Sequence, residues 1–406
     1  MVDLTIADKE IEISIHADIA PKLNFACHQA SFPLLRALSV ENLNEDKRVE
    51  DLTVTLSSDP PFVKTRTWKI DRLAENGRVQ VRGRDLELDG GFLLYLADAM
   101  KGTVTITVEI RDEIVTENSY PVELLAYNEW GGAGYMPELL AAFSMPNDPA
   151  IDKILNDASK LLRSARRPDA IDGYQSGKRE RVWELASSIY GAIANLGLTY
   201  AMPPASFEND GQKIRLPSQI LKGRVATCLD TTMLFASALE QAHLNPIVVM
   251  PKDHAMVGVW LQPEELTTIV IDDAETLRKR IQLKELILIE TTNVTSHPAA
   301  PFNRAIKNAD EHVLQELDES FNSAVDIKRA RAHRITPLAL KVERAQIPGE
   351  PDLEPTVITP IDLPPPLPDF DVDVEEESPD TPQTRLERWQ RELLDLSARM
   401  SVIKMN

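Results

Sequence analysis

Residues 223–261, GRVATCLDTTMLFASALEQAHLNPIVVMPKDHAMVGVWL, contain the pattern that decides the fold around them. The run from Cys228 to His243 lacks Gly and Pro, is apolar on most sides and ends before an Asn-Pro pair, which predicts a buried helix. The period then changes, because NPIVVM, HAMVGVWL and, at 286–292, LILIETT are short β-type runs. The sequence therefore predicts a helix followed by a sheet.

Helical patterns flank this core. Apolar residues recur at three- and four-residue spacing in 150–165 and in 178–198, which predicts two amphipathic helices, and Pro149 is well placed to open the first. Residues 302–338 also have a helical pattern and are expected to close the domain. The sequence therefore predicts one α+β domain over 150–340.

Residues 1–126 have the pattern of strands. Short alternating or β-branched runs, such as VEDLTVTLSS, GRVQVRGRDLEL (77–88) and TVTITVEI, are separated by the turn-forming stretches SSDPP, ENG and DGG. This arrangement predicts an N-terminal antiparallel β-sandwich of the immunoglobulin-like kind. Gly and Pro residues then break the strand pattern, so 127–149 is predicted to be a junction between two domains.

The composition restricts the class of protein. Hydrophobic residues make up 43% and charged residues 27% of the chain, which is typical of a soluble globular protein. The net charge of −20 argues against direct binding to nucleic acid or to an acidic membrane, because phosphate binding depends on clustered Lys and Arg. The sequence has no signal-peptide or membrane-span pattern, and its two cysteines lie far apart, so a cytoplasmic location is expected.

Cys228 has the position of a catalytic thiol. It begins the long predicted helix directly after a polar loop, where the N–H groups and macrodipole of a first helical turn favour a thiolate. His254 opens the HAMVGVWL run, so the helix, a turn and one strand return it to the same end as the thiol. Glu290 follows the apolar strand LILI, where a carboxylate can orient the imidazole. This order predicts a Cys-His-Glu triad.

Each residue of the triad also has a simpler interpretation. A lone cysteine in an apolar helix is usually a packing residue, a lone strand histidine is usually satisfied in the core or at the surface, and Glu290 alone fits a strand-end solvent group. The joint order of the three favours the triad. Asp230 is interpreted as a carboxylate that complements the helix dipole. Cys27, beside His28, is interpreted as an inert residue of the sandwich, because no further metal ligands have convincing spacing.

A thiol acyl-transfer site also needs hydrogen-bond donors for the oxyanion. The backbone N–H of Cys228 is one candidate, and Gln212, Gln219 and Trp130 are candidates for a second. We expect no cofactor and no bound metal. A metal site built on Cys228 and His254 is a less favoured alternative.

GRVATCLDTTMLFASALEQAHLNPIVVMPKDHAMVGVWL followed by LILIETT resembles the transglutaminase-like cysteine peptidase superfamily, whose fold is papain-like. The resemblance implies that Cys228 is the nucleophile, His254 the base and Glu290 the orienting acid, with Glu in place of the more usual Asp. The expected fold class is then α+β, with an N-terminal antiparallel β-sandwich followed by a papain-like or transglutaminase-like domain. The expected substrate is a protein or peptide, and both hydrolysis and transamidation remain open.

The C-terminal part has a different character. Residues 345–383 are rich in Pro and acidic residues and predict a disordered linker, and 384–406 resume an amphipathic helical pattern. A linker that leads to a lone helix suggests the front of something longer. The basic cluster KRARAHR at 328–334 is interpreted as a solvated or interdomain face.

A second resemblance covers nearly the whole chain. NEWGGAGYMPELLAAFSMPNDPAI, SFENDGQKIRLPSQIL and RWQRELLDLSAR resemble the front part of large bacterial helicase-like proteins that are often associated with phage defence. This resemblance implies a downstream helicase-type domain, in the same longer chain or in a partner protein. The alternative function is therefore a non-catalytic sensor or protein-binding module that regulates such a domain.

Overall fold

The structure, a computed structural model, describes residues 11–340 and 361–365, with the backbone alone for 312–320.

The N-terminal strands form two sheets. The first elements are β1 (Ile13–Ile19), β2 (Lys22–Leu23), α1 (Phe25–Gln29), β3 (Leu35–Asn42), β4 (Val49–Asp59), β5 (Arg66–Leu73), β6 (Arg78–Gln80), α2 (Gly90–Tyr95), β7 (Met100–Ile110) and β8 (Glu113–Leu124). One sheet has the order β1-β3-β6 and the other β2-β8-β7-β4-β5.

All strand pairs in these two sheets are antiparallel except the short parallel pair of β2 and β8. Alternate residues of β7, including Val104, Ile106 and Val108, are buried, as a strand with one face on a core requires. The larger sheet follows the predicted pattern of alternation.

Three local predictions for the N-terminal region differ from the structure. The pattern at 77–88 forms a strand only over Arg78–Gln80, and the chain then leaves the sheet. The DGG stretch is not a simple turn, because Asp89 accepts a hydrogen bond from Phe92 N and begins helix α2. Cys27 lies in helix α1, which Asn24 caps in the same way.

The remaining elements include a third large sheet and the helices around it. In chain order they are β9 (Glu129–Trp130), a 3₁₀ helix (Pro137–Phe143), α3 (Pro149–Ser164), α4 (Arg179–Ala194), β10 (Thr199–Tyr200), α5 (Phe207–Asp210), β11 (Gln212–Lys213), α6 (Pro217–Gly223), β12 (Val225–Ala226), α7 (Cys228–Gln241), β13 (Pro246–Pro251), β14 (Met256–Trp260), β15 (Val270–Ile271), α8 (Ala274–Gln282), β16 (Leu286–Ile289), a second 3₁₀ helix (Thr291–Thr295), α9 (Phe302–Ser320), β17 (Phe321–Asp326) and α10 (Ile327–Ala332).

This third sheet has five strands and is antiparallel throughout, in the order β15-β17-β13-β14-β16. Helix α7 packs against β13 and β14. The predicted helix followed by a sheet is therefore present. The prediction of continuous helix over 302–338 is wrong, because Phe321–Asp326 forms the strand β17 between β15 and β13. The fold as a whole is of the α+β class.

The two predicted amphipathic helices differ from each other. Helix α3 begins at Pro149, as predicted, and buries one stripe of apolar residues. Helix α4 is not amphipathic, because every residue except Glu180 is buried. Its Arg181 is accommodated by ion pairs with Asp172 and Glu184, which offset the cost of removing the guanidinium from water.

The N-terminal sheets are bonded to the later region. Asn24 Nδ2 donates to Glu129 O at 2.7 Å, and Gln29 Nε2 donates to Pro337 O at 2.7 Å. The described residues, 11–340 and 361–365, belong to one compact unit. Within it, Asn303 N donates to the Asp362 carboxylate at 2.9 Å, so 361–365 are docked on the protein rather than disordered as predicted. The rest of the predicted linker at 345–383, and the predicted helix at 384–406, lie outside the described residues.

In the part of the chain that the structure describes, no helix is both long enough and apolar enough to cross a bilayer.

Candidate active site

Cys228 is the first residue of helix α7, as predicted. The preceding Thr227 is in an extended conformation, and its hydroxyl accepts a hydrogen bond from Asp230 N at 3.2 Å. The Asp230 carboxylate in turn accepts from Thr227 N at 2.9 Å. This reciprocal capping box fixes the start of the helix, so the backbone N–H of Cys228 lies in the first turn, where no intrahelical acceptor exists.

Asp230 has the structural role that the sequence suggested. It is fully buried, and besides capping the helix it accepts a hydrogen bond from Arg215 N at 2.7 Å. It also forms an ion pair with the Arg215 guanidinium at 2.7 Å. Both carboxylate oxygens are therefore engaged. Asp230 holds the loop before α6 against the first turn of α7.

His254 lies between Cys228 and Glu290. It is located two residues before β14 begins, and its Nε2 is 2.7 Å from Glu290 Oε2. The Cys228 thiol is close enough to act on the imidazole, because it is among the groups that raise the pKa of His254. The structure thus brings the three predicted residues together in one row.

Glu290 is held from its other side. It directly follows β16, and its Oε1 accepts hydrogen bonds from Thr292 N at 3.0 Å and from the Thr292 hydroxyl at 2.6 Å. The same carboxylate caps the second 3₁₀ helix. Its two oxygens have separate partners, so Oε2 is fixed toward His254.

The electrostatics of the row favour charge on both His254 and Glu290. Burial acts to lower the pKa of the imidazole, but the interactions with Cys228 and Glu290 outweigh burial and raise that pKa to about 10. Burial acts to raise the pKa of Glu290, but hydrogen bonds from His254 and Thr292 lower it below its ordinary range. An imidazolium beside a sulfur is the arrangement that stabilises a thiolate.

Three buried threonines join the helix of Cys228 to the loop of Glu290. Thr231 Oγ1 and Thr232 Oγ1 lie 3.0 and 3.1 Å from Thr291 Oγ1, respectively. All three residues have no solvent exposure. Hydrogen bonds are directional, so this cluster fixes the position of α7 along the end of β16 more closely than apolar contact does.

Tyr200 lies near Cys228, and sequence reasoning did not find it. Burial and the negative charges of Cys228 and Glu290 raise the pKa of Tyr200 to about 12, so the hydroxyl keeps its proton. Tyr200 lies in β10, which pairs in parallel with β12 directly before α7. No local signal marks such a pair of two-residue strands.

The three side chains predicted as oxyanion donors have different positions and different hydrogen-bond partners. Gln212 and Trp130 are paired across β11 and β9. Gln212 Nε2 donates to the Thr227 hydroxyl at 3.1 Å, one residue before the thiol. Trp130 is fully buried, and its single N–H donates to Met136 O at 2.9 Å, so the prediction of Trp130 as an oxyanion donor is corrected.

Gln219 caps the start of helix α6. Its Oε1 accepts a hydrogen bond from Leu216 N at 3.0 Å at the start of α6, and its Nε2 lies 3.4 Å from the Tyr127 hydroxyl. This is the position of a capping residue. Gln212 is therefore the member of the predicted set that lies next to the nucleophile's helix end.

Cys27 and the basic cluster at 328–334 have structural partners. Burial raises the pKa of the Cys27 thiol to about 12, and its Sγ lies 3.8 Å from Met136 Sδ. Arg331 donates to the Glu240 carboxylate at 2.8 Å and to Ser144 O at 3.0 Å, so it faces inward. Among the described residues, no group of three or more His, Cys, Asp and Glu side chains is arranged to hold a metal ion.

No family model matches the chain, and no curated protein is significantly similar to it.

Proposed function

We propose that this protein is a thiol acyl-transfer enzyme of the transglutaminase-like kind, acting as a cysteine peptidase on a protein substrate. The observation that carries the proposal is the row of Cys228, His254 and Glu290, with Glu290 Oε2 2.7 Å from the imidazole. The three residues come from a helix end and from two strand ends that are far apart in sequence. A thiol, a base and an orienting acid are the parts that nucleophilic catalysis requires.

The fold supports the same proposal. A helix with cysteine at its first position packs on an antiparallel sheet, and histidine and the acid lie at the ends of adjacent strands β14 and β16. We propose that this unit is the papain-like domain and that the two N-terminal sheets form its β-sandwich. We also propose that it belongs to a larger helicase-linked defence protein, with the resemblances in the sequence as the support.

The proposed reaction has two halves. The thiol proton passes to His254, Cys228 Sγ bonds to the substrate carbonyl carbon, and the carbonyl π pair moves to oxygen. The tetrahedral adduct then collapses: the C–N bond breaks, and the leaving amine takes the proton from His254, so a thioester remains. Water attack on the thioester completes proteolysis, whereas attack by an amine completes transamidation. The charge of Glu290 stabilises the imidazolium in both halves.

The test is the pH dependence of Cys228 alkylation by iodoacetamide, followed by mass spectrometry of the peptide that contains this cysteine. Wild type and His254→Ala are compared, and Cys27 serves as the internal control thiol. We expect rapid labelling of Cys228 at pH 6–7 that falls by at least about tenfold without the imidazole, because the thiolate loses its cationic partner. Slow labelling of Cys228 at the same rate in wild type and His254→Ala would overturn the proposal.

A non-catalytic binding module is the second candidate, and one observation favours it. Cys228 has 0% of its surface exposed, and reactive thiols are usually partly accessible. In a binding module the row would only hold the sheet and helix together. Cys228→Ser separates the two candidates: an enzyme loses its biological output with this variant, whereas a binding module keeps it.

A further inference from the structure

A cleft of about 910 Å³ lies in the N-terminal region of the protein. One wall is formed by residues 31–36, which include the start of β3, and the other by residues 82–88, which follow β6. Its volume is in the range of pockets that bind ligands in proteins. No residue of the proposed catalytic row lines it, so the cleft is a separate feature of the protein.

The cleft opens where the chain leaves the edge of β3. Strand β6 pairs with β3 only at 39–41, and one further hydrogen bond joins Val81 N to Leu38 O at 2.9 Å. On this side of the sheet, no strand of the described chain pairs with β3 before Leu38. A strand edge without a partner offers backbone donors and acceptors to another strand.

The second wall is held by the larger N-terminal sheet. Gly83 O accepts a hydrogen bond from Trp68 Nε1 in β5 at 3.0 Å, and Glu87 O accepts from Lys64 N at 2.9 Å. Residues 82–88 therefore pass from one N-terminal sheet to the other and are bonded along the way. The wall is already ordered, so a ligand that enters the cleft does not have to order it.

Three arginine side chains line the cleft, and none of them forms an ion pair with a carboxylate of the described residues: Arg36, Arg82 and Arg84. Arg36 is the extra residue of a bulge in β3. Its guanidinium lies 5.7 Å from the centre of the Phe32 ring, which holds the group without neutralising its charge. Arg84 Nη1 donates to Val81 O at 3.4 Å, and its other N–H groups stay available to a ligand.

The charge of the cleft differs from that of the whole protein. Asp85 and Glu87 also line it, but Glu87 forms an ion pair with Lys64. The chain has 64 Asp and Glu residues and a net charge of −20, so carboxylates are not scarce. Because the Debye length in physiological salt is about 8 Å, a ligand in the cleft responds to the three guanidiniums more than to distant carboxylates.

We propose that this cleft binds an extended acidic peptide segment of a partner protein. The segment adds to the uncovered edge of β3, and its carboxylates bind the guanidiniums of Arg36, Arg82 and Arg84. A nucleic acid fits less well, because its backbone cannot pair with a strand edge and the net charge of −20 opposes a long polyanion. The proposal does not depend on the proposed thiol chemistry.

The test measures how a fluorescein-labelled heptapeptide of alternating valine and glutamate binds to the whole protein, by fluorescence anisotropy. We expect Arg82→Gln and Arg84→Gln each to weaken binding about tenfold, because each removes charge-assisted hydrogen bonds. A peptide with glutamine in place of glutamate should bind at least about tenfold more weakly. Proline in place of an inner valine should have a similar effect, because proline lacks the backbone N–H that pairs with a strand.

Arg66→Gln is the matched control. It makes the same change of charge in β5, but Arg66 does not line the cleft, so binding should change by less than about twofold. Cys228→Ser should bind the peptide as wild type does, which separates this proposal from the proposed enzyme. Thermal unfolding checks that each variant is folded. If a variant is destabilised, the altered peptides still test the cleft in the unaltered protein.

Each other outcome overturns the proposal. Wild type that binds no peptide at about 1 mM has no such site. Equal weakening by Arg66→Gln would mean that only the general field of the protein attracts the peptide. Undiminished binding of the glutamine or proline peptide would exclude the carboxylate contacts or the strand pairing, respectively. Stronger binding of a fluorescein-labelled single-stranded RNA would make the occupant a nucleic acid, and dimerisation that Arg84→Gln abolishes would make it a second copy of this chain.

Discussion

Glu290→Gln tests whether the imidazole of His254 is charged because of the carboxylate beside it. The two groups are 2.7 Å apart, and only 5% of the Glu290 side chain is exposed, so water screens their interaction little. An opposite charge at this distance changes a pKa by about one to three pH units. We therefore expect the pKa of His254 to fall from about 10 to roughly 7–9.

The sign of the pH dependence follows from the same values. The folded-state pKa of His254 lies above the ordinary value of 6.5, so its charge stabilises the fold fully below about pH 6.5, and this contribution is lost as the pH rises toward 10. Glu290→Gln is expected to reduce the loss of stability between pH 6.5 and 10. It also lowers stability at neutral pH, because the amide cannot accept from both His254 and Thr292.

The measurement is an NMR titration of the His254 Cε1–H signal, assigned with a His254→Asn variant. Urea unfolding at pH 6.5 and pH 9.5 follows the stability. Glu285→Gln is the control, since it removes a charge at the other end of the same strand, where the partner is Arg280 at 2.7 Å. A His254 pKa that changes by less than about 0.3 pH units in Glu290→Gln would refute the ion pair and the mechanism built on it.

Three further changes have defined outcomes. Thr291→Val removes the hydroxyl that Thr231 and Thr232 share, so urea denaturation should show a loss of about 1–3 kcal/mol in the free energy of unfolding, and Thr295→Val, at an outer hydroxyl, should lose less. Asp310→Asn should stabilise the protein above pH 6. Burial raises the pKa of Asp310 to about 6, so its ionisation costs folding free energy as the pH rises. Urea unfolding of the variant at pH 7.5 should therefore show a gain of about 1–2 kcal/mol in the free energy of unfolding, and this gain should disappear at pH 4. Gly211→Ala should lower the melting temperature measured by circular dichroism, because Gly211 has φ +92° and a Cβ there would lie 1.9 Å from Trp130 O, whereas Gly223→Ala, with nothing within 4 Å, should be tolerated.

The sequence predicted α7 and its cysteine because local and tertiary preferences agree there. Thr227 and Asp230 have the spacing of a cap, and the Asn-Pro pair after His243 stops the helix. The strand β17 was missed for the opposite reason. FNSAVD follows a helical pattern without Gly or Pro between them, and its strand conformation is imposed by pairing with β13 and β15.

The candidate site also has residues that the sequence predicts and residues that it does not. Cys228, His254 and Glu290 lie at ends of elements that the periodicity predicts, so their convergence is predictable from the order of elements. Gln219 was misassigned although its signal was present, because Pro217 followed by Gln two residues later is typical of a helix start. Tyr200 lies near the thiol because β10 pairs with β12, and no periodicity encodes this pairing of distant segments.

In most protein cores, apolar packing provides both the stability and the alignment of the elements. Here the shared hydroxyls of Thr231, Thr232 and Thr291 provide part of the alignment. Apolar packing supplies the bulk of the stability, but a slightly different packing of Leu or Val residues still permits a small slide of a helix on a sheet. Three hydroxyls that bond only in one alignment do not permit it. The surrounding apolar side chains are therefore free to change in volume over evolution, or in a redesign, while the distance between thiol and acid stays constant. Anyone who grafts this site onto another scaffold must carry the threonines with it.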